Sequence, residues 1–237
     1  MNWNHIWHKV LAMNIVIAIC LAGSGLAQTT VYVDGSVAAT GDGTQAAPFK
    51  TIAEGLAGGG NLTVLVAGGI YTDEPPDTRI LSGQTLVGSY DGAFAISDPA
   101  LTPTIIDMGR LTEQQQNRTF HCQGASSFTI ENLVIRNSST GEWNNTTNGG
   151  AIYVRGGSQG AIRGVTFVNC NSKFENGVET GPARDGGAIC IRDASTVVIE
   201  DCVFDSCTAV GNGGAITMRG GATHVFTGEI DLETFRG

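Results

Sequence analysis

Asn148-Gly149-Gly150-Ala151-Ile152, Asp185-Gly186-Gly187-Ala188-Ile189 and Asn212-Gly213-Gly214-Ala215-Ile216 are three copies of one unit, and their spacing decides the fold. Ten residues beyond Ile152, Ile189 and Ile216 stand Ile162, Ile199 and Phe226; five beyond the first two stand Phe167 and Phe204. The same ruler run backwards finds a fainter copy in Phe120, Ile130 and Ile135. Unit starts at Phe120, Ile152, Ile189 and Ile216 lie 32, 37 and 27 residues apart, the longest interval holding an insert around residues 173–182. Fixed segments joined by elastic loops mark a solenoid, in which each repeat buries its apolar face only by stacking on its neighbours.

Within each unit the apolar period is two. Ile152/Val154, Ile189/Ile191 and Ile216/Met218 alternate with Tyr153/Arg155, Cys190/Arg192 and Thr217/Arg219. A period of two is that of a strand. The second segment agrees, with Ile130/Leu133/Ile135, Ile162/Val165/Phe167 and Ile199/Cys202/Phe204 in matching places. Short strands separated by Gly, Asn and Asp turns predict a parallel β-helix, with equivalent residues about 4.8 Å apart along its axis. Before the repeats, Thr29–Asp34 alternates as a strand, residues 61–71 supply a first rung, and residues 84–92 and 103–107 two further strands, for about six turns in all. Thr51 and Glu54 form a capping box that opens a short helix, placed to cover the amino-terminal end of the column.

The paired Gly-Gly-Ala-Ile and Phe-x-x-Asn/Cys elements across residues 119–220 resemble the repeats of chlamydial-type polymorphic outer membrane proteins. The opening sequence, with its Gly41-Asp42-Gly43 loop and Pro48-Phe49-Lys50-Thr51-Ile52 helix start, resembles exported pectate-lyase-like proteins. The resemblance implies an all-β fold, a right-handed parallel β-helix solenoid with a short N-terminal capping helix. Cys170 and Cys207 depart from it by standing in the expected Asn place.

Residues 1–27 read as a signal peptide: Lys9 precedes an apolar run, and small residues close it at Ala27. Residues 28–118 are then the cap and first rungs, and 119–237 the repeat rungs of the same β-helix. Excluding Lys9, 12 basic residues face 22 acidic ones, which argues against nucleic acid and anionic membrane as partners. No second apolar stretch is long enough for a transmembrane span. The expected location is secreted or at the cell surface, with extracellular polysaccharide or a neighbouring cell surface as partner.

Stacking turns equivalent residues into ladders. Cys170 and Cys207 hold equivalent places one rung apart, within Cα range of a disulfide. Cys122 and Cys202 fall inward, while Cys190 is expected to point outward, alone. Asn148, Asp185 and Asn212 form a turn ladder, and Glu131, Arg163 and Glu200 alternate in sign across rungs. Arg155, Arg192 and Arg219 form a row of like charge, costing on the order of 1 kcal/mol per adjacent pair even in water. Two readings fit that row. It is a groove for an acidic glycan, with Tyr153 as a sugar-stacking platform, or the side chains splay and pair with Asp193 and loop acids.

Catalysis finds less support. The outward positions from His121 and Gln123 to Thr217 hold no carboxylate, so the acid–base pairs and calcium ligands of β-helix enzymes have no counterpart there. Loop acids Glu142, Glu175 and Glu179 are the remaining candidates. His121 and His224 lack metal-ligand company and read as surface residues. The expected function is an exported non-catalytic surface or adhesion module binding acidic glycans. The alternative is a polysaccharide lyase or glycoside hydrolase acting on uronates, the one case in which Ca2+ would enter; otherwise no cofactor or metal is expected.

Overall fold

This computed structural model describes residues 28–109, 117–140, 148–172 and 185–231. The expected signal peptide, the insert at 173–182, Glu142, Glu175 and Glu179 lie outside the described residues. Strand β1 (Thr29–Val33) is followed by helix α1 (Ile52–Leu56). Each turn of the solenoid then lays down one strand per wall. These are β2 (Leu62–Ala67), β3 (Gly69–Tyr71) and β4 (Thr78–Ile80), then β5 (Thr85–Tyr90), β6 (Thr104–Asp107) and β7 (Phe120–Gln123). Next come β8 (Phe128–Glu131), β9 (Leu133–Arg136) and β10 (Ile152–Arg155), then β11 (Gln159–Arg163), β12 (Thr166–Val168), β13 (Asn171–Ser172) and β14 (Ile189–Ile191). The last described turns hold β15 (Thr196–Asp205), β16 (Thr208–Ala209), β17 (Ile216–Met218) and β18 (Thr223–Asp231).

The first wall stacks β1, β2, β5, β8, β11, β15 and β18; the second stacks β3, β6, β9, β12 and the far half of β15. The third wall, β4-β7-β10-β14-β17, carries the repeat units, and β13 pairs β16 separately. All named pairings are parallel, as a right-handed β-helix requires. Register follows the ruler of the sequence: Phe120, Ile152, Ile189 and Ile216 align, as do Ile130, Ile162, Ile199 and Phe226. Ile135, Phe167 and Phe204 form the third column, and the two phenylalanine rings stack at 5.0 Å and 9°. Ile130, Ile162, Ile152 and Phe167 are fully buried, each worth about 1.5–3 kcal/mol of transfer free energy.

Glycine is required once in each repeat unit and a second time in the first two. Gly149, Gly186 and Gly213 have φ of 70°, 70° and 66°, where side chains are strained. The following Gly150 and Gly187 lie so close to the next rung that a Cβ would overlap the carbonyl oxygens of Gly187 and Gly214.

Helix α1 closes the column with Ile52 and Leu56 buried. Its capping box forms as the sequence predicts, with Thr51 Oγ1 accepting from Glu54 N and Glu54 Oε2 accepting from Thr51 N. Two side chains from the rungs complete it. Glu74 accepts from the Ile52 and Ala53 amides at 2.7 and 3.0 Å, favoured by the helix dipole. Gln84 donates to the Leu56 and Gly59 carbonyls at 2.8 and 2.7 Å.

At the far end the stacking runs on past Phe226: Gly228 turns in the left-handed region as Asp201 does one rung below, and Ile230 pairs with Cys202. Phe226 is nonetheless 45% exposed, whereas Ile199 beneath it is fully buried.

Candidate functional site

The outer face of the third wall concentrates the polar chemistry. Its first outward row runs Arg79–His121–Tyr153–Cys190–Thr217 across adjacent strands. Alternation sends these residues away from the column, yet Tyr153 is only 3% exposed and Cys190 not at all. His121 and Thr217 are buried too. Three expectations are therefore corrected: Tyr153 is no open sugar platform, Cys190, though a free thiol, does not face solvent, and His121 is not a surface residue. Alternation fixes the side of a strand a residue occupies, but not what else packs on that side.

A polar cluster fills this layer. The His121 ring stacks on Tyr153 at 5.4 Å and 16°, and the Arg118 and Arg155 guanidiniums lie 5.1 and 5.4 Å from the Tyr153 ring centre. Such cation–π contacts replace lost hydration in part. Asp77 Oδ1 accepts from Arg118 Nε and Nη2 at 2.8 and 2.6 Å, while Oδ2 stands 3.5 Å from His121 Nδ1. Burial raises the Asp77 pKa, but hydrogen bonding from His121 and the Arg118 charge outweigh it and hold the carboxyl at about 2. Arg118 Nη1 donates to the Asn148 carbonyl at 2.9 Å, tying the cluster to the turn of the next rung.

Two residues outward along the strands lies the second row, Gln123–Arg155–Arg192–Arg219. Gln123 Oε1 accepts from Arg155 at 3.0 Å and from Arg79 at 3.4 Å. Arg219 Nε donates to Asp185 Oδ2 at 2.8 Å, so for this arginine the pairing with a loop acid holds. Among the described residues, Arg155 Nε, Arg192 Nε and His121 Nε2 are shielded from solvent without a hydrogen-bond partner. The row is thus satisfied at its end and starved at its middle.

The turn ladder connects here. Asn148 Oδ1 accepts from Asp185 N at 3.2 Å, and Asp185 Oδ1 accepts from Asn212 N and Nδ2 at 2.8 and 3.1 Å. Asp185 therefore serves the backbone with one oxygen and Arg219 with the other. Thr217 Oγ1 donates to the Asn212 carbonyl and fastens the last turn.

Sequence reasoning missed Asp77, Arg118 and strand β4. The ten-residue ruler fails there: Thr78 aligns with Phe120 and Leu86 with Ile130, but they are eight residues apart. With Ile80 as its one buried apolar residue, β4 shows no alternation to read.

The expected Cys170–Cys207 bridge is corrected as well. Both are buried free thiols, and Sγ of Cys170 points at the Ile135 and Val168 carbonyls while that of Cys207 points at those of Phe167 and Asp205. The two thiols lie close enough to interact with each other, but each Sγ is also turned towards backbone carbonyls, whereas a disulfide needs both sulfurs on the line between the rungs at a Cβ separation of about 3.8 Å. Burial pushes the Cys170 thiol well above its ordinary pKa. Cys122 and Cys202 are fully buried in the column.

Among the described residues no group of three or more His, Cys, Asp or Glu side chains is placed to hold a metal ion. No helix among them is long and apolar enough to cross a membrane. A family model described as a right handed beta helix region matches residues 105–229, more than half of the chain. Neither the curated proteins nor the solved structures contain a match.

Proposed function

The chain belongs to the right-handed β-helix family, and from that premise we propose an exported, non-catalytic surface or adhesion module that binds acidic glycan along the second outer row of the third wall. One observation carries the reading: Arg155 Nε and Arg192 Nε, on adjacent rungs, are held out of water with no acceptor. A shielded donor left unpaired costs about 1–3 kcal/mol, more when charged. Both side chains are half-buried, and turning outward brings each Nε to a carboxylate or sulfate laid across the row in the bidentate geometry guanidinium favours. Tyr153 acts beneath the row by positioning Arg155, not by stacking on sugar. The leader-like first 27 residues and the likeness to polymorphic surface proteins support a secreted or cell-surface location.

The test is elution from immobilised polygalacturonate. Arg155→Gln/Arg192→Gln is expected to elute at much lower salt than the parent, while Arg163→Gln elutes with it. Equal elution of the double variant overturns the reading.

A second reading, a lyase or hydrolase acting on uronates, draws on the Asp77–His121 pair beside the same arginines. It predicts that polygalacturonate or alginate incubated with the protein yields unsaturated uronates absorbing in the near ultraviolet, or new reducing ends. His121→Ala would abolish them.

A further inference from the structure

At the amino-terminal corner, on elements other than the arginine rows, the first turns leave an open groove of about 440 Å3. It falls within the roughly 300–1,000 Å3 usual for small-molecule sites. Its aliphatic side is Ile70, Leu101 and Ile105, and its polar side is Asp34 and Ser36, with Tyr90 also lining it. Ile70 is 58% and Leu101 79% exposed, an unusual pair of large aliphatic residues left in water within one concavity.

Three glycines, Gly68, Gly69 and Gly92, give the groove bare backbone. A Cβ on Gly92 would meet nothing within 4 Å, and one on Gly69 only the edge of Tyr71 at 3.9 Å. The Gly68 and Gly69 amides already donate to the Tyr90 and Pro103 carbonyls at 2.8 and 3.0 Å, so it is the backbone at Gly92 that a ligand can approach closely. None of the lining residues is basic, and Asp34 Oδ1 already accepts from Ser36 N at 2.8 Å, leaving its other oxygen available.

We propose that this groove binds a neutral saccharide of one or two rings. A pyranose has a C–H face to lay on Ile70, Ile105 and Tyr90, and hydroxyls for Asp34 and the bare backbone. A purely apolar ligand would desolvate the carboxylate and peptide groups without replacing their hydrogen bonds. An acidic sugar meets the Asp34 carboxylate with no basic side chain in the lining to offset it, and is repelled. The site is independent of the arginine rows and stands whether or not they bind glycan.

The experiment is a titration of the 15N-labelled protein with cellobiose, maltose, lactose and N,N′-diacetylchitobiose, with spermidine and digalacturonate in parallel. At least one neutral disaccharide is expected to shift the amide signals of Gly68, Gly69 and Gly92. Gly92→Leu fills the open space at no steric cost to the fold and abolishes those shifts, while the rest of the spectrum stays unchanged. Tyr90→Ala weakens binding at least fivefold. Absence of shifts with every neutral sugar, the same shifts with spermidine or digalacturonate alone, or retention of binding in Gly92→Leu overturns the proposal.

Discussion

Two ladders of charge run along this solenoid on different walls, built on the same rung spacing. On the first wall Arg163 sits between Glu131 and Glu200, with its guanidinium 3.1 and 2.8 Å from their oxygens. Glu200 first, and then Glu131, raise the Arg163 pKa and hold it charged. On the third wall three arginines stack, and of these only Arg219 has a carboxylate within ion-pair distance among the described residues. Rung geometry is indifferent to sign. What separates a stabilising ladder from a candidate site is whether each donor has found its acceptor inside the chain.

The comparison breaks most forcefully at Asp185. Its carboxylate is almost wholly buried and joins Arg219 to the turn at Asn212. Asp185→Ala should lower unfolding stability by about 2–3 kcal/mol in urea titrations, because it leaves buried donors unpaired. Arg163→Gln should cost about 1 kcal/mol, the range of two half-exposed pairs, with Glu131 and Glu200 left without their cation. Arg192→Gln should leave stability unchanged or raise it by up to about 1 kcal/mol, because it removes a shielded unpaired donor and like-charge repulsion. A loss as large as that for Arg163→Gln would show that the two ladders do the same structural work.

A finer probe is pH. Asp77 titrates in the fold at about 2, below its ordinary 3.8, despite burial acting in the opposite sense. A depressed carboxylate contributes stability fully above the unfolded value, and that contribution is lost as pH falls from about 4 towards 2. Asp77→Asn should therefore flatten the dependence of the urea midpoint on pH in that window while leaving its shape above about pH 5 unchanged.

Legibility differed between the column and its coat. Inward positions such as Ile152, Ile189 and Ile216 answer to one requirement, apolarity at a fixed interval, and an interval is visible in a linear string. The coat answers to several at once. His121 and Tyr153 are polar or amphipathic, so their alternation spoke for solvent; their burial depends on Asp77 and Arg118, which lie in segments without periodicity. Likewise Cys170 and Cys207 were correctly placed one above the other, but the direction of each Sγ, towards a carbonyl of the preceding rung, is a torsional outcome that spacing does not encode.

The sequence by itself determined the repeat, its register and the capping helix, because strand period, obligatory glycines and a capping box are local or regularly spaced constraints. Only the tertiary structure decided which arginines are neutralised, which donors are starved, and that a groove opens beside Gly92. Those outcomes depend on where non-repeating segments come to lie against the column, and hydrogen-bond satisfaction is settled over a few ångströms in space rather than by distance along the chain.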